Sequence, residues 1–383
     1  MSHTFIHTAD WQIGKAFGGF DPRLGGRLDE ARLDVIDTIA EVAASHGAGH
    51  VLVAGDVFDA HDLSGRTLRQ PLTRMGSHQR LTWVLLPGNH DPAPPGGIWD
   101  RIRRIGPPAN IVIADRAAPI ELAPGLIVLP APLTAKAMAS DPTAWMDGAG
   151  RFDGVVRVGL AHGSVRGFGS EGESAVPIEP ARVASARLDY LALGDWHGMK
   201  CIGPRAWYSG TPEPDNFTKN TKGYVLVVRI AAPGAEPLVT EVATGRYAWA
   251  RVDTRLDGLA ELAAVDRTIA ALTGEKKRLL LSLTLSGSLT LADHAALADW
   301  REELDARVAH LVWNDAELAL TPGLDEPAIR TLLASAGDLA LVAERLDALA
   351  AADETGAAVP PAVARTALLR LVRLAQKAVE GTA

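Results

Sequence analysis

Five short blocks in this 383-residue chain carry side chains that could do chemistry. They are Asp10-Trp11-Gln12, Gly55-Asp56, Gly88-Asn89-His90-Asp91, Ala161-His162-Gly163 and Gly194-Asp195-Trp196-His197. Each follows an apolar, β-prone run, at residues 4–6, 51–53, 83–86, 155–160 and 190–193. Carboxylate, carboxamide and imidazole groups therefore recur at the C-terminal ends of successive strands. In an open α/β sheet those ends share one crevice. A crevice lined by Asp, Asn and His suits hard to borderline divalent ions, not an apolar ligand. The chemistry this predicts is metal-assisted hydrolysis of a phosphate ester.

Two divalent ions about 4 Å apart can activate a water and clamp both oxygens of an in-line displacement at phosphorus. Such a pair needs a bridging carboxylate, and Asp56 is the natural bridge because it lies in a Gly-Asp turn after a buried apolar strand. Asp10 and His197 would complete one side, Asn89 and His162 the other. His90 is poorly placed to bind the ion of its neighbour Asn89, which frees it to act as a general acid. Imidazole suits protonation of a leaving alkoxide near neutral pH. Asp91 is expected to orient the His90 ring. A lone Gly-Asp at a strand end is turn chemistry, but turns do not explain five such blocks. The remaining histidines read as structural. His7 has the opposite strand parity to Asp10 and should point away from the site. His61 is a weaker candidate neighbour of Asp56.

The elements that position these blocks follow from periodicity. Apolar residues recur at helical spacing over 27–45, with further helices expected at 63–75 and 99–105. Short alternating runs at 110–114, 120–122, 126–129 and 224–230 predict strands. The fold class is α/β: a four-layer, double β-sheet sandwich flanked by helices. Near Arg246 the pattern changes, with strands at 249–256, 278–285 and 311–320 and helices at 259–272 and 293–309. Three parts follow: 1–245 for the site-bearing domain, 246–322 for a small α+β domain, and 323–383 for a helical region. A last helix at 362–379 keeps Val363, Ala367, Leu371, Leu374 and Ala378 on one stripe, which can pack internally or dock on a partner helix.

Composition narrows the class. Hydrophobic content of 47% is that of a globular protein, and no apolar run is long enough to span a bilayer. The single cysteine, Cys201, excludes an internal disulfide or thiolate metal cluster. With no leader-like segment at the start, a cytoplasmic setting is expected. The formal net charge of −8 disfavours free-standing, tight nucleic-acid binding. Local basic clusters (Arg66, Arg69, Arg74 and Arg80; Arg101, Arg103 and Arg104; Lys276, Lys277 and Arg278) are either solvated faces or phosphate contacts.

These blocks, extended to His7-Thr-Ala-Asp10-Trp, Gly55-Asp56-Val-Phe-Asp59 and Leu193-Gly194-Asp195-Trp196-His197, with Tyr208-Ser-Gly-Thr-Pro-Glu-Pro214 beyond, resemble the calcineurin-like metallophosphoesterase superfamily, and within it the SbcD-type nucleases of DNA repair complexes. The resemblance covers about residues 1–245 well and the α+β unit loosely. It implies manganese-dependent cleavage of DNA with His90 as proton donor. It also implies that the α+β domain caps the site, that C-terminal helices bind an SbcC-type coiled-coil ATPase, and that the chain dimerises.

Two positions depart from that pattern. The first block of the family is Asp-x-His, and here it is Asp10-Trp11-Gln12; the last is Gly-His-x-His, and here it is Gly194-Asp195-Trp196-His197. The first ion would keep Asp10, Asp56 and His197, with Gln12 offering a carbonyl oxygen. The second would keep Asp56, Asn89 and His162, with Asp195 in place of a nitrogen. Oxygen-rich shells favour Mn²⁺ or Mg²⁺ over Zn²⁺, and neutral Gln12 predicts weaker retention of the first ion. The sequence thus supports the nuclease component of a DNA repair complex. Its rivals are a stand-alone phosphodiesterase or phosphatase on a small substrate, and a catalytically weakened DNA-end-binding scaffold.

Overall fold

In a computed structural model of the chain, the described residues are 2–150, 153–167, 175–217, 222–321 and 339–350, with 359–361, 363, 364, 366–368, 370 and 371. The N-terminal half alternates strands and helices: β1 (His3–Thr8), α1 (Pro22–Ser45), β2 (His50–Val53), α2 (Gly65–Ser77), β3 (Thr82–Leu85), α3 (Ile98–Ile105) and β4 (Ile111–Ile113). There follow β5 (Ile120–Ala123), β6 (Leu126–Ala131), β7 (Val156–His162), β8 (Ser164–Val165), β9 (Pro177–Ile178), α4 (Arg182–Ser185) and β10 (Tyr190–Gly194). Then come β11 (Lys200–Gly203), β12 (Ala206–Tyr208), β13 (Tyr224–Ile230) and β14 (Leu238–Ala243). The chain divides into two compact units, Met1–Ala250 and Arg251–Ala383.

The first unit holds two six-stranded sheets, ordered β14-β13-β1-β2-β3-β4 and β11-β12-β10-β7-β6-β5. β1 through β4 pair in parallel, as do β6, β7, β10 and β12. Parallel connections need crossovers, and α1, α2 and α3 supply them for the first sheet. Strand parity sorts the side chains into layers. Ile6, Val51, Val53, Trp83 and Leu85 face Ile36, Ile39, Leu72, Met75 and Trp99 of the helices. Phe5, Leu52, Val84 and Val228 instead meet Val128, Val158, Leu160 and Tyr190 between the sheets. Outside the second sheet, Leu129 and Leu191 pack with Met146, Ile178 and Leu188. Strands buried on both faces explain why the sequence shows near-continuous apolar runs before each block.

α1 begins at Pro22, five residues before the expected start. Asp21 caps it, its carboxylate accepting from the Arg23 and Leu24 amides, and Pro22 presets the first helical φ. β7 runs on to His162, so this imidazole sits in the strand itself. His7 is fully buried between the sheets, 3.0 Å from the Tyr190 hydroxyl and 3.2 Å from the Leu193 carbonyl oxygen.

A three-stranded sheet in the order β15-β16-β17, from β15 (Ala248–Leu256), β16 (Leu279–Thr290) and β17 (His310–Thr321), carries α5 (Leu262–Leu272) and α6 (Leu291–Arg307). β16 and β17 are parallel, joined by α6. A separate helix spans Leu339–Ala350 and exposes Leu339, Leu341 and Val342. Of the stripe expected at 362–379, Leu374 and Ala378 lie outside the described residues. No helix among the described residues is long and apolar enough to cross a membrane.

Candidate metal centre

The loops after β1 and β2 are laced together before they reach the site. Asp10 N–H donates to Gly55 O (3.1 Å), Gln12 N–H to Asp56 O (2.9 Å) and Ile13 N–H to Val57 O (2.9 Å). β7 and β10 pair so that His162 stands opposite Gly194, which brings Asp195 beside the imidazole. The glycines of the blocks permit this crowding. A Cβ on Gly194 would lie 1.9 Å from the Ala54 carbonyl oxygen, and one on Gly55, at φ +90°, would lie 2.2 Å from His162 Nδ1.

Asp10, Asp56 and His162 converge, each offering one ligand atom within 4.8 Å of the others, and all three are buried. Asn89 and Asp195 stand at the rim. Asn89 Oδ1 is 3.3 Å and Asp195 Oδ1 3.8 Å from His162 Nε2, and Asn89 Nδ2 donates to Asp195 Oδ1 at 3.4 Å. His162 Nδ1 donates to the Ala54 carbonyl (2.8 Å), leaving Nε2 as the ligand nitrogen. Ser164 fixes the other Asp195 oxygen at 2.8 Å.

Backbone strain marks the same place. Asp10, Gln12, Asp56 and Asp195 all have φ between 45° and 98°, a region that side-chain-bearing residues rarely adopt. Burial raises the Asp10 carboxyl to about 6, with His197 and His162 opposing and Asp56 and Asp195 adding to the rise. Burial alone would lower His162, but the carboxylates of Asp56, Asp10 and Asp195 outweigh it and raise the imidazole to about 9. Crowded, buried carboxylates around one imidazole are poorly compensated by protein groups alone. The donor set, oxygens plus one nitrogen, fits a divalent cation.

Gln12 and His197 form a network beside this cluster. Gln12 Nε2 lies 3.2 Å from His197 Nε2, and the Gln12 carbonyl oxygen accepts from Lys15 at 3.4 Å, so that oxygen is engaged by an ammonium where the sequence expected it to offer itself to an ion. His197 Nδ1 is 3.3 Å from buried Asp215, which also receives Lys15 (2.5 Å) and Arg32 (3.5 Å). Burial would raise Asp215, but the His197 hydrogen bond and the charges of Arg32 and Lys15 hold it well below the usual carboxylate range.

Asp91 does not orient His90, contrary to expectation. Its carboxylate is fully buried and accepts from the Gly88 (2.7 Å) and Phe58 (3.0 Å) amides, tying two loops together. Its neighbour turns the other way: His90 Nδ1 lies 3.0 Å from the Asp59 carbonyl oxygen, while the His90 amide donates to Asp56 Oδ1 at 2.9 Å. His61 is exposed, with no side-chain contact to Asp56 among the described residues. Much of the basic clusters is structural: Arg74 pairs with Glu30, Asp34 and Asp37, Arg101 caps the carbonyls of His61 and Leu63, and Arg103 pairs with Asp115.

Sequence reasoning missed Lys15, Arg32, Ser164 and Asp215, and assigned no role to Asp59 of the Gly55–Asp59 motif. Asp215 directly follows the Tyr208–Pro214 block, the one local hint available.

The family model for calcineurin-like phosphoesterases matches residues 3–228. The SbcD component of the nuclease SbcCD from Bacillus subtilis is 28% identical over 276 residues, 62% of this chain and 68% of that one. Its counterpart in the SbcCD nuclease of Rhodobacter capsulatus is 37% identical over 92 residues, 23% of this chain and 21% of that one. Among solved structures, a dimetal phosphatase from Danio rerio aligns over 62% of this chain and 98% of its own at 12% identity, with a TM-score of 0.41. The match over most of the two-sheet unit makes this chain a member of the calcineurin-like phosphoesterase family.

Proposed function

We propose that the chain is a metal-dependent nuclease that hydrolyses phosphodiesters of DNA as the catalytic component of a repair complex with an SbcC-type ATPase. The observation that carries this reading is the buried convergence of Asp10, Asp56 and His162 with Asn89 and Asp195 at its rim. The two SbcCD nuclease relatives support a nucleic-acid substrate, and the choice of DNA follows from the family resemblance of the sequence blocks. Apolar Leu339, Leu341 and Val342, exposed on one helix, support a partner helix in the C-terminal region.

Asp10, Asp56, His162, Asn89 and Asp195 would hold divalent metal, Mn²⁺ first and Mg²⁺ second, with a weaker second ion on the Gln12–His197 side. When bound, such ions supply Lewis acidity that polarises the phosphate and lowers the pKa of water. The protein supplies the proton. A carbonyl oxygen only accepts, so the Asp59 carbonyl keeps a hydrogen on His90 Nδ1. Nε2 is then the nitrogen that takes up the second proton and, from the imidazolium, would deliver it to the leaving 3′ or 5′ oxygen, leaving the neutral ring with its Nδ1 hydrogen.

The test is incubation of the purified protein with labelled single- and double-stranded DNA in Mn²⁺, with Asp56→Ala as control. Cleavage absent from the variant is expected. Cleavage of small diesters but never of DNA, with or without the ATPase, would refute the DNA reading.

A further inference from the structure

Four side chains beside the metal cluster close a ring of hydrogen bonds. Lys15 Nζ donates to Gln12 Oε1 (3.4 Å), Gln12 Nε2 meets His197 Nε2 (3.2 Å), His197 Nδ1 meets Asp215 Oδ1 (3.3 Å), and Asp215 Oδ2 returns to Lys15 (2.5 Å). The chemistry of each member fixes the next. An ammonium has only donors, so it selects the Gln12 oxygen and turns the amide N–H toward His197. A carboxylate has only acceptors, so Asp215 holds a hydrogen on Nδ1 and leaves a lone pair on Nε2 for that amide. The nitrogen with which His197 would bind an ion is thereby already bonded. Gln12 and Asp215 are buried, and Arg32, 1% exposed, adds a second fixed cation 3.5 Å from Asp215.

Charge points the same way. With His162 neutral, as a ligand through Nε2 must be, the carboxylates of Asp10, Asp56, Asp195 and Asp215, counted as ionised, stand against the fixed cations Lys15 and Arg32. The excess is two negative charges, which one divalent ion neutralises. A second ion would enter a balanced site and would have to break the Gln12–His197 bond to gain its imidazole.

We propose that the Lys15–Gln12–His197–Asp215 ring stands in for one of the two ions, so that this chain retains a single divalent ion and takes a second only in exchange for the Gln12–His197 hydrogen bond. Lys15 and Gln12 are thus positioning residues that set metal stoichiometry. The proposal rests on the metal-site reading above and adds to it which half of the site is filled at rest.

The experiment uses the full chain, stripped with chelator and titrated with Mn²⁺. Calorimetry gives the affinities, mass spectrometry the retained ions, and electron paramagnetic resonance reports whether ions are isolated or exchange-coupled. The wild type should retain one Mn²⁺ with an isolated-ion spectrum and bind a second about ten- to a hundredfold more weakly. Gln12→His, which replaces the amide donor with a ligand, should retain two coupled ions. Lys15→Met, a milder change that frees the Gln12 carbonyl and removes a cation, should narrow the gap between the two affinities; circular dichroism checks both folds. Two equal, coupled ions in the wild type, or a gap that ignores both substitutions, would overturn the ring proposal while leaving the metal site intact. No Mn²⁺ bound by the wild type, or binding indifferent to Asp56→Ala, would overturn the metal reading and the ring with it.

Discussion

The Nδ1 nitrogen of His90 lies 3.0 Å from the main-chain carbonyl oxygen of Asp59, while the Asp59 side chain stands 4.0 Å away. The ring is therefore oriented by backbone, and the side chain of Asp59 contributes little to its tautomer. His90→Asn should lower turnover of a phosphodiester by about 10²–10⁴-fold while Mn²⁺ content is unchanged. Asp59→Ala keeps the carbonyl and should cost far less. Steady-state kinetics with metal counting on both variants checks this. Equal losses in the two, or loss of metal from His90→Asn, would show that His90 acts otherwise.

The core of the site was legible because parallel strands deliver their following residues to one edge. Asp10, Asp56 and His162 could be named from spacing alone, since each ends or follows an apolar run. Asp91 was misread for a physical reason: in the tight turn after β3, consecutive side chains diverge, so adjacency to His90 carried no information about contact. The Lys15–Asp215 pair joins residues 200 apart, both in loops, where no periodicity says which way a side chain points. The role of Gln12 was half visible. Its departure from the family pattern was plain, but its amide orientation is set by Lys15, three residues on in a loop where no periodicity says that the two side chains meet.

Asp91 follows from the same turn. Its two carboxylate oxygens accept from buried amides of different loops, and burial together with the Asp56 charge pushes its carboxyl well above the ordinary range, against the pull of those two bonds. Asp91→Asn would present an N–H₂ group to one of the two amide donors and leave that donor unpaired. A loss of about 1–3 kcal/mol of stability is expected, read as a shift in the denaturant midpoint. A midpoint like that of the wild type would mean that the loops are held by other contacts.

Metal removal should be visible in stability as well as in activity. Asp10, Asp56 and His162 are buried together, so a cation that binds them only in the folded state stabilises that state. At a hundred times its dissociation constant, Mn²⁺ should add about 2.7 kcal/mol to unfolding. Thermal melts with chelator and with added Mn²⁺ measure the difference, and Asp56→Ala should abolish it. A Mn²⁺ response that survives Asp56→Ala would place the ion elsewhere on the protein.

His7 predicts an acid-side loss of stability independent of the metal. Burial between the sheets lowers its imidazole from an ordinary 6.5 to about 3, with the Leu193 carbonyl pulling weakly the other way. The folded value is depressed below the unfolded one, so the unfolded chain binds the extra proton first. The contribution to stability is therefore fully present above about pH 6.5 and is lost as pH falls through the window toward 3. Across that window the loss is about 1.4 kcal/mol per pH unit. His7→Gln keeps polar atoms for Tyr190 and Leu193 but cannot titrate, so its unfolding free energy should fall less steeply with acid by about that slope. Urea unfolding of both proteins between pH 6 and pH 4, with chelator present to silence the metal site, isolates the term. Identical slopes would mean that His7 is protonated in the folded protein, with a cationic ring between the sheets, and that the neutral bridge from β1 to Tyr190 is wrong.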